Sequence, residues 1–276
     1  AGCFLLHHAS NTHEWSAFCL GAPGQPTSRL FFLGSNGGAI AAVDPRAPGT
    51  TGAAARAILL PEAHNKKINT LSAHAGGHLL ASASTDASVR IWDVRKLRDA
   101  LLQIEPLEMD PPEMGPSQIG GEQIGARGPS PQVFKAKPLC SLPLGASSQS
   151  AVWAPVAAAG GGLTSLLVTS FDNQLAIYRN LGGGGGGAPA PAVVIRHNTQ
   201  TGRWVVPFRA EWTSAGDGVL VGGMSRTADV YDSATGSRFA SFSSEHLTAI
   251  PSRNAAHPTL PVLACGTNSG RVHILR

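Results

Sequence analysis

Residues 64–95 read HNKKINTLSAHAGGHLLASASTDASVRIWDVR. His64 opens the stretch. Two short apolar runs with β-branched residues follow, split by the polar turn Ser84-Thr85-Asp86-Ala87-Ser88, and the second closes on Ile91-Trp92-Asp93. Runs of this length bounded by turn residues predict antiparallel strands, with hydrophobic and polar positions alternating about the sheet.

A histidine, two strands around an aspartate turn, and a Trp-Asp close make up the layout of a WD-type repeat. Each such repeat builds one four-stranded propeller blade. Weaker copies of the ending recur at Ala39–Asp44, Leu175–Tyr178, Ala228–Asp232 and Val272–Leu275. The matching positions Val43, Trp92, Tyr178, Tyr231 and Leu275 are 49, 86, 53 and 44 residues apart. The period for such blades is about 40–45 residues. The longest gap holds an insertion rich in Pro, Gly, Gln and Glu, so the spacing predicts five blades. The expected architecture is an all-β WD-repeat propeller over residues 1–276, five C-terminal blades of a seven-bladed ring. Low-complexity loops are expected at 103–137 and at 182–191, where six glycines run together.

The composition agrees. The chain has 276 residues, with 33 glycines and 20 prolines, and only 14% of its residues are charged. Many short strands joined by tight turns need such a composition. No apolar run approaches the ~20 residues of a membrane-spanning helix. Cys3, Cys19, Cys140 and Cys265 are scattered without a Cys-x-x-Cys pair, as free thiols in a reducing compartment would be.

Catalytic signatures are missing from the sequence. The glycine run lacks the Gly-Lys-Ser/Thr of a phosphate loop, and there is no Gly-x-Ser-x-Gly or His-Glu-x-x-His. His7-His8 and His74/His78 have no third ligand at metal spacing, so neither metal nor cofactor is expected. His64, Ser82, Asp86 and Trp92 resemble a catalytic triad, but in a blade of this kind they form a structural network of mutually satisfied polar groups. The reading is non-enzymatic.

Charge points toward binding. The net charge is +4, yet residues 103–132 hold five acidic and one basic residue, whereas residues 133–276 hold eleven basic and six acidic. The remainder is therefore more positive than the total, which permits a polyanionic partner. Lys66-Lys67 precedes one inner strand. The segment His197-Asn198-Thr199-Gln200-Thr201-Gly202-Arg203-Trp204 precedes another. Cations for phosphates beside a planar ring for stacking constitute a nucleic-acid kit. Packing of Trp204 into its blade core is the alternative.

The segments 64–68, 80–86, 91–95, 197–212 (HNTQTGRWVVPFRAEW), 254–259 and 263–274 together resemble the WD repeat-containing protein 76 family, whose fungal members are called DNA damage-binding WD-repeat proteins. More distantly they resemble damage-specific DNA-binding protein 2, the ultraviolet-lesion sensor. The resemblance implies a nuclear, damage-response propeller that binds double-stranded DNA through Lys66, Lys67, His197, Asn198, Thr201, Gly202, Arg203 and Trp204. Gly202-Arg203-Trp204 would be a wedge hairpin, although Arg-Trp departs from the sensor's own wedge. Lys67 would match a phosphate-contacting lysine. Trp92-Asp93-Val94-Arg95 fits the WDxR pattern, which implies a cullin-4 ubiquitin ligase adaptor docked on Trp92, Asp93 and Arg95. Chromatin-associated proteins are further expected partners. The rival reading is a generic protein-interaction scaffold with no DNA affinity of its own.

Overall fold

The computed structural model describes residues 15–22, 24–44, 56–102, 132–155, 164–181, 188–202 and 205–275. Blade one contains β1 (Trp15–Leu20), β2 (Phe31–Ser35), β3 (Ile40–Asp44) and β4 (Arg56–Leu60). Blade two starts with β5 (Ile68–Ala73), β6 (Leu79–Ser84) and β7 (Ser88–Asp93). A helix, α1 (Val94–Leu102), and a short strand, β8 (Gln132–Val133), come before its outer strand β9 (Cys140–Pro143). Blade three is β10 (Ser148–Trp153), β11 (Leu166–Ser170), β12 (Gln174–Tyr178) and β13 (Val193–Arg196). Blade four is β14 (Glu211–Trp212), β15 (Gly218–Gly223), β16 (Thr227–Asp232) and β17 (Arg238–Phe242). Blade five is β18 (Pro251–Ala256), β19 (Leu263–Thr267) and β20 (Val272–Leu275).

Within each sheet consecutive strands pair antiparallel, except that β8 adds to blade one as a parallel fifth strand on the outer edge of β4. The fold is therefore an all-β WD-repeat propeller, as the repeats predict.

The core lies between blades rather than inside one. Phe32, Ile40, Ile58, Ile68, Leu80 and Trp92 form one buried cluster spanning blades one and two. Leu79, Ile91, Trp153 and Leu166 form the next, between blades two and three, and Leu167, Ile195, Phe208 and Val219 the one after. Full burial of each such side chain is worth about 1.5–3 kcal/mol, so a blade contributes most of its stability through its neighbours. Inner-strand hydroxyls add polar ties: Ser16 donates to the Ile68 carbonyl (2.7 Å), and the Ala151 N–H donates to Thr70 (3.1 Å).

The hairpin turns between second and third strands share one device. Gly38, Ala87, Asn173, Arg226 and Gly270 hold the same turn position in successive blades, and all have positive φ, between 61° and 88°. Each is the residue just before or beside the start of a third strand. Glycine adopts this left-handed conformation freely, while alanine and arginine pay a steric cost of about 1–2 kcal/mol. These turns, with the links that lead into the inner strands, mark one end of every blade, termed here the upper face. Register fixes this, since Ile68 pairs with Ser84 and Ser84 with Ser88.

Two elements depart from the sequence expectation. Residues 94–102 form α1, capped by Asp93, whose Oδ1 accepts the Arg95 N–H at 3.0 Å. The expected loop 103–137 also ends early. Gln132–Val133 pair with Ile58–Leu59, and Phe134 and Ala136 pack on the cluster between blades one and two. Residues 103–131 and 182–187 lie outside the described residues.

Candidate nucleic-acid interface

The blade-two network is a continuous hydrogen-bond chain. Trp92 Nε1 donates to Ser82 Oγ at 2.8 Å, Ser82 Oγ lies 2.7 Å from His64 Nε2, and His64 Nδ1 lies 3.0 Å from Asp86 Oδ2. Burial lowers the His64 pKa, with Asp86 opposing, so the ring is neutral near pH 7 and its Nδ1–H is the donor to Asp86. Burial also pushes the Asp86 carboxyl up, but hydrogen bonds from Ser88 and Asn65 and the His64 contact outweigh this and hold it at about 2. The arrangement resembles a triad in composition only: Ser82 and His64 are both buried.

Lys66 and Lys67 are exposed on the link that follows His64, at the upper face. The exposed Arg196, Arg226 and Arg271 stand at the upper ends of their strands, against the exposed acids Glu62 and Glu245. The lower ends carry Asp44, Asp93, Asp99, Asp217 and Asp232 interleaved with basic residues. The upper face thus gathers five exposed cations against two exposed acids among the described residues, while the lower end also carries Arg29, Arg95, Lys96 and Arg238 exposed. Arg226 was not singled out from the sequence. Its signal was the position itself: glycine or asparagine occupies the same turn slot in three other blades, and arginine stands there despite the strain.

The second sequence candidate divides. Asn198 and Gly202 are exposed and Thr201 half-exposed on the link into blade four, at the same face as Lys67. His197 is not part of any surface. It is 7% exposed, its Nδ1 lies 2.9 Å from the Tyr231 hydroxyl, and its Nε2 lies 2.8 Å from the Gly222 carbonyl. It holds in blade four the place of His64 in blade two, and burial lowers its pKa, so it is neither exposed nor charged for DNA. Gly202 does not adopt the left-handed conformation expected of a tight turn, and a side chain there would meet nothing within 4 Å. Arg203 and Trp204 lie outside the described residues.

The WDxR residues sit at the lower end of blade two. Trp92 is 2% exposed and its indole N–H is spent on Ser82, so it cannot touch an adaptor. Asp93 caps α1. Arg95 is 61% exposed and folds back on Asp93, with Nε 3.0 Å from Oδ1 and Nη2 2.8 Å from Oδ2.

One cluster went unnoticed in the sequence. Inner strands of blades one to four line an open pocket of about 320 Å³, with Ser16, Asn69, Ser72, Ser150, Arg209 and Glu211 among its walls. Arg209 Nη2 reaches from blade four to the Asn69 carbonyl of blade two at 2.9 Å. Arg253, from blade five, donates to the Pro207 and Ser252 carbonyls. Burial pushes the Glu211 carboxyl up to about 7, with Arg209 and Arg253 opposing. Among the described residues no group of three or more His, Cys, Asp or Glu could hold a metal, and Cys19, Cys140 and Cys265 are free thiols. No described helix is long and apolar enough to cross a membrane.

Residues 57–93 match the family described as WD domain, G-beta repeat. The match starts on the outer strand of blade one and ends on β7, so the sequence repeat is offset from the blade by one strand. The chain is 32% identical over 215 residues to DNA damage-binding protein CMR1 of Phaeosphaeria nodorum and 30% identical over 221 residues to that of Chaetomium globosum, in each case covering 75% of this chain and 35% of the relative. This chain is a WD-repeat homologue of those proteins. It is also 34% identical over 145 residues to WD repeat-containing protein 76 of Xenopus laevis, covering 51% of this chain and 24% of the relative. The chain spans about a third of the length of the curated CMR1 relatives it matches.

Proposed function

We propose that this WD-repeat chain is a non-enzymatic, nuclear DNA-binding module of the damage response, which grips duplex DNA with its upper face. The observation that carries the reading is the gathering of exposed Lys66, Lys67, Arg196, Arg226 and Arg271 at one end of the blades. The names of the relatives, DNA damage-binding proteins, point the same way. Phosphate contacts from such cations supply most of a protein's non-specific affinity for DNA. Asn198, Thr201 and Gly202 border the same surface, and Arg203 and Trp204 are the proposed lesion-sensing wedge. A lesion weakens pairing or stacking, so a wedge enters a damaged duplex at lower cost.

Strain adds weight at Arg226. A non-glycine residue with φ of 61° is retained at a cost, and such costs cluster at functional positions. The experiment is duplex binding by the intact chain and two variants. Lys67→Ala should weaken binding to intact and damaged duplexes alike, while Arg238→Ala at the lower end of blade four should not. Equal loss in both variants would point to general charge rather than to this face, as would no loss in either.

A second contact is proposed on the lower face, where exposed Arg95 stands at the opposite end of blade two from Lys67. A cullin-4 ligase adaptor would have to engage Arg95 and the start of α1, since Trp92 is buried. The two contacts on opposite faces would not compete.

A further inference from the structure

Residues 35–38 read Ser-Asn-Gly-Gly and close the hairpin between β2 and β3 of blade one. Asn36-Gly37 is the single Asn-Gly pair among the 276 residues. A glycine after asparagine leaves its own backbone nitrogen unshielded by a side chain, so that nitrogen can reach the asparagine carboxamide. The turn also holds this peptide outside the ladder. The Ser35 N–H donates to the Ala39 carbonyl at 2.9 Å and the Gly38 N–H to the Ser35 carbonyl at 3.2 Å, while the Gly37 N–H makes no hydrogen bond to a described residue. Gly37 is exposed and Asn36 half-buried, so water reaches the pair.

Blade five repeats the turn with different chemistry. The Thr267 N–H donates to the Arg271 carbonyl and the Gly270 N–H to the Thr267 carbonyl, the same two bonds, around Asn268-Ser269. There the Asn268 Oδ1 accepts from the Val206 N–H at 3.3 Å and from the Ser252 hydroxyl at 3.1 Å, and a serine side chain flanks the following nitrogen. One hairpin geometry thus carries a glycine-flanked asparagine in blade one and a tethered, serine-flanked one in blade five. The blade-one turn also lies against the link that bears the upper-face lysines. The Gly38 carbonyl accepts the His64 N–H at 2.8 Å, and a Cβ on Gly38 would stand 2.9 Å from the Lys66 carbonyl oxygen. A charge at Asn36, two residues before Gly38, falls within about one Debye length of that link, on the order of 8–10 Å at physiological salt.

We propose that Asn36 is a site of deamidation, and that the reaction acts as a one-way charge switch on the DNA-binding face. The Gly37 nitrogen attacks the Asn36 Cγ, its proton passes to solvent, ammonia leaves, and a cyclic succinimide forms. Water then adds to one of the two ring carbonyls and opens the ring to an aspartyl or isoaspartyl residue. In sum, one water is consumed, one ammonium is released, and a neutral amide becomes a carboxylate. The new negative charge competes with phosphate for Lys66 and Lys67, so each conversion removes about one phosphate contact from the electrostatic attraction. The chemical step stands on the turn alone, and its consequence rests on DNA binding by the upper face.

The test follows the whole chain, held warm at pH 8 for increasing times, by peptide mass spectrometry and by duplex binding. The peptide containing Asn36 should gain the mass difference between an amide and an acid and become a substrate for an isoaspartyl methyltransferase, several-fold faster than the peptide containing Asn268. Gly37→Ala, at a position whose φ is not positive, should slow the gain to the rate at Asn268, and Asn36→Gln should stop it on the same timescale. Asn36→Asp, which installs the charge without incubation, should lower the slope of log K against log of salt concentration by about one unit. Asn180→Asp, exposed at the lower end of blade three, should leave that slope unchanged. Far-ultraviolet circular dichroism checks that each variant is folded. No gain at Asn36, or a gain no faster than at Asn268, would overturn the modification site. A wild-type slope in Asn36→Asp, where Lys67→Ala lowers it, would overturn the switch and leave DNA binding by the face standing. A wild type without salt-dependent duplex binding would overturn the DNA reading and the switch with it, whatever the masses show.

Discussion

The Tyr231 hydroxyl meets His197 Nδ1 at 2.9 Å inside blade four. Tyr231 stands at the strand position that Trp92 holds in blade two, and His197 at the place of His64. In blade two the indole reaches the histidine through Ser82; in blade four the phenol reaches it directly, and Val221 fills the Ser82 position. The same architectural bond is thus made with different atoms. Tyr231→Phe should leave a buried ring nitrogen unpaired and cost about 1–3 kcal/mol in urea unfolding, with duplex binding unchanged in the folded protein. Weakened DNA binding at unchanged stability would return His197 to the interface.

Asp86→Ala should cost more than an exposed aspartate would, because the carboxylate accepts from Ser88, Asn65 and His64 together. A loss of about 2–4 kcal/mol is expected. Its acid dependence follows from the depressed pKa. The stabilisation is present above about 4, the ordinary range of the group, and is lost as pH falls toward 2. A wild-type and variant pair whose stability difference stays constant from pH 6 to pH 2 would contradict the assignment.

Buried histidines and a buried glutamate push stability in opposite directions between pH 4 and 7. Burial lowers the pKa of His64 and His197, so their contribution is present above the ordinary histidine value of about 6.5 and is lost on acidification. Burial raises that of Glu211 from 4.5 to about 7, so its contribution is full below 4.5 and is lost as pH rises through 7. Glu211→Gln should therefore stabilise the chain at pH 8, on the order of 1–3 kcal/mol, and change little at pH 4. The reverse order in a pH series of unfolding curves would show that Glu211 is solvated.

The left-handed turn position gives a pair of predictions with separable signs. Ala87→Gly should stabilise by about 0.5–1 kcal/mol, since it relieves φ of 62°. Arg226→Gly should stabilise by a similar amount yet weaken duplex binding. A variant that gains stability while losing affinity marks Arg226 as retained for function. Gain in stability without loss of affinity would make it an accident of the turn.

Much of the blade order was legible. β1, β4, β7 and β12 start and end where alternation and turn residues predict. Blade four's inner strand is the weak case: the apolar run Val205–Thr213 reads as strand, but only Glu211–Trp212 pair with β15. Pro207 lacks an N–H and Arg253 occupies its carbonyl, so ladder pairing gives way there to side-chain clasps. The helix α1 was missed although its signal is present: Asp93 as cap and Val94, Leu97 and Leu101 on one face, all buried. Asp93 serves both as the close of the repeat and as the cap of the helix. His197 was misread because it opens a polar segment. The spacing hides its equivalence to His64, since His197 lies 34 residues before Tyr231 and His64 28 before Trp92, and the Ser82 position holds valine. The channel cluster could not be read at all, since Arg209 and Asn69 are 140 residues apart and meet only once the blades are arranged.

Arg95 offers a test of the lower face. Its guanidinium is already forked on Asp93, so Arg95→Ala should leave the fold intact and lose adaptor co-purification if the WDxR contact is real. Arg95→Lys should also fail, because an ammonium cannot reproduce the bidentate fork. Co-purification that survives both changes would leave Arg95 as no more than a partner for the α1 cap.

DNA binding by the upper face is tested most directly by the affinity of the chain for a short duplex as a function of salt. Wild type should show log K falling linearly with log of salt concentration. Lys67→Ala should reduce the slope by about one unit, and Lys67→Ala combined with Arg226→Gly by about two. A slope near zero in the wild type, or one that none of these changes alters, would contradict DNA binding through this surface.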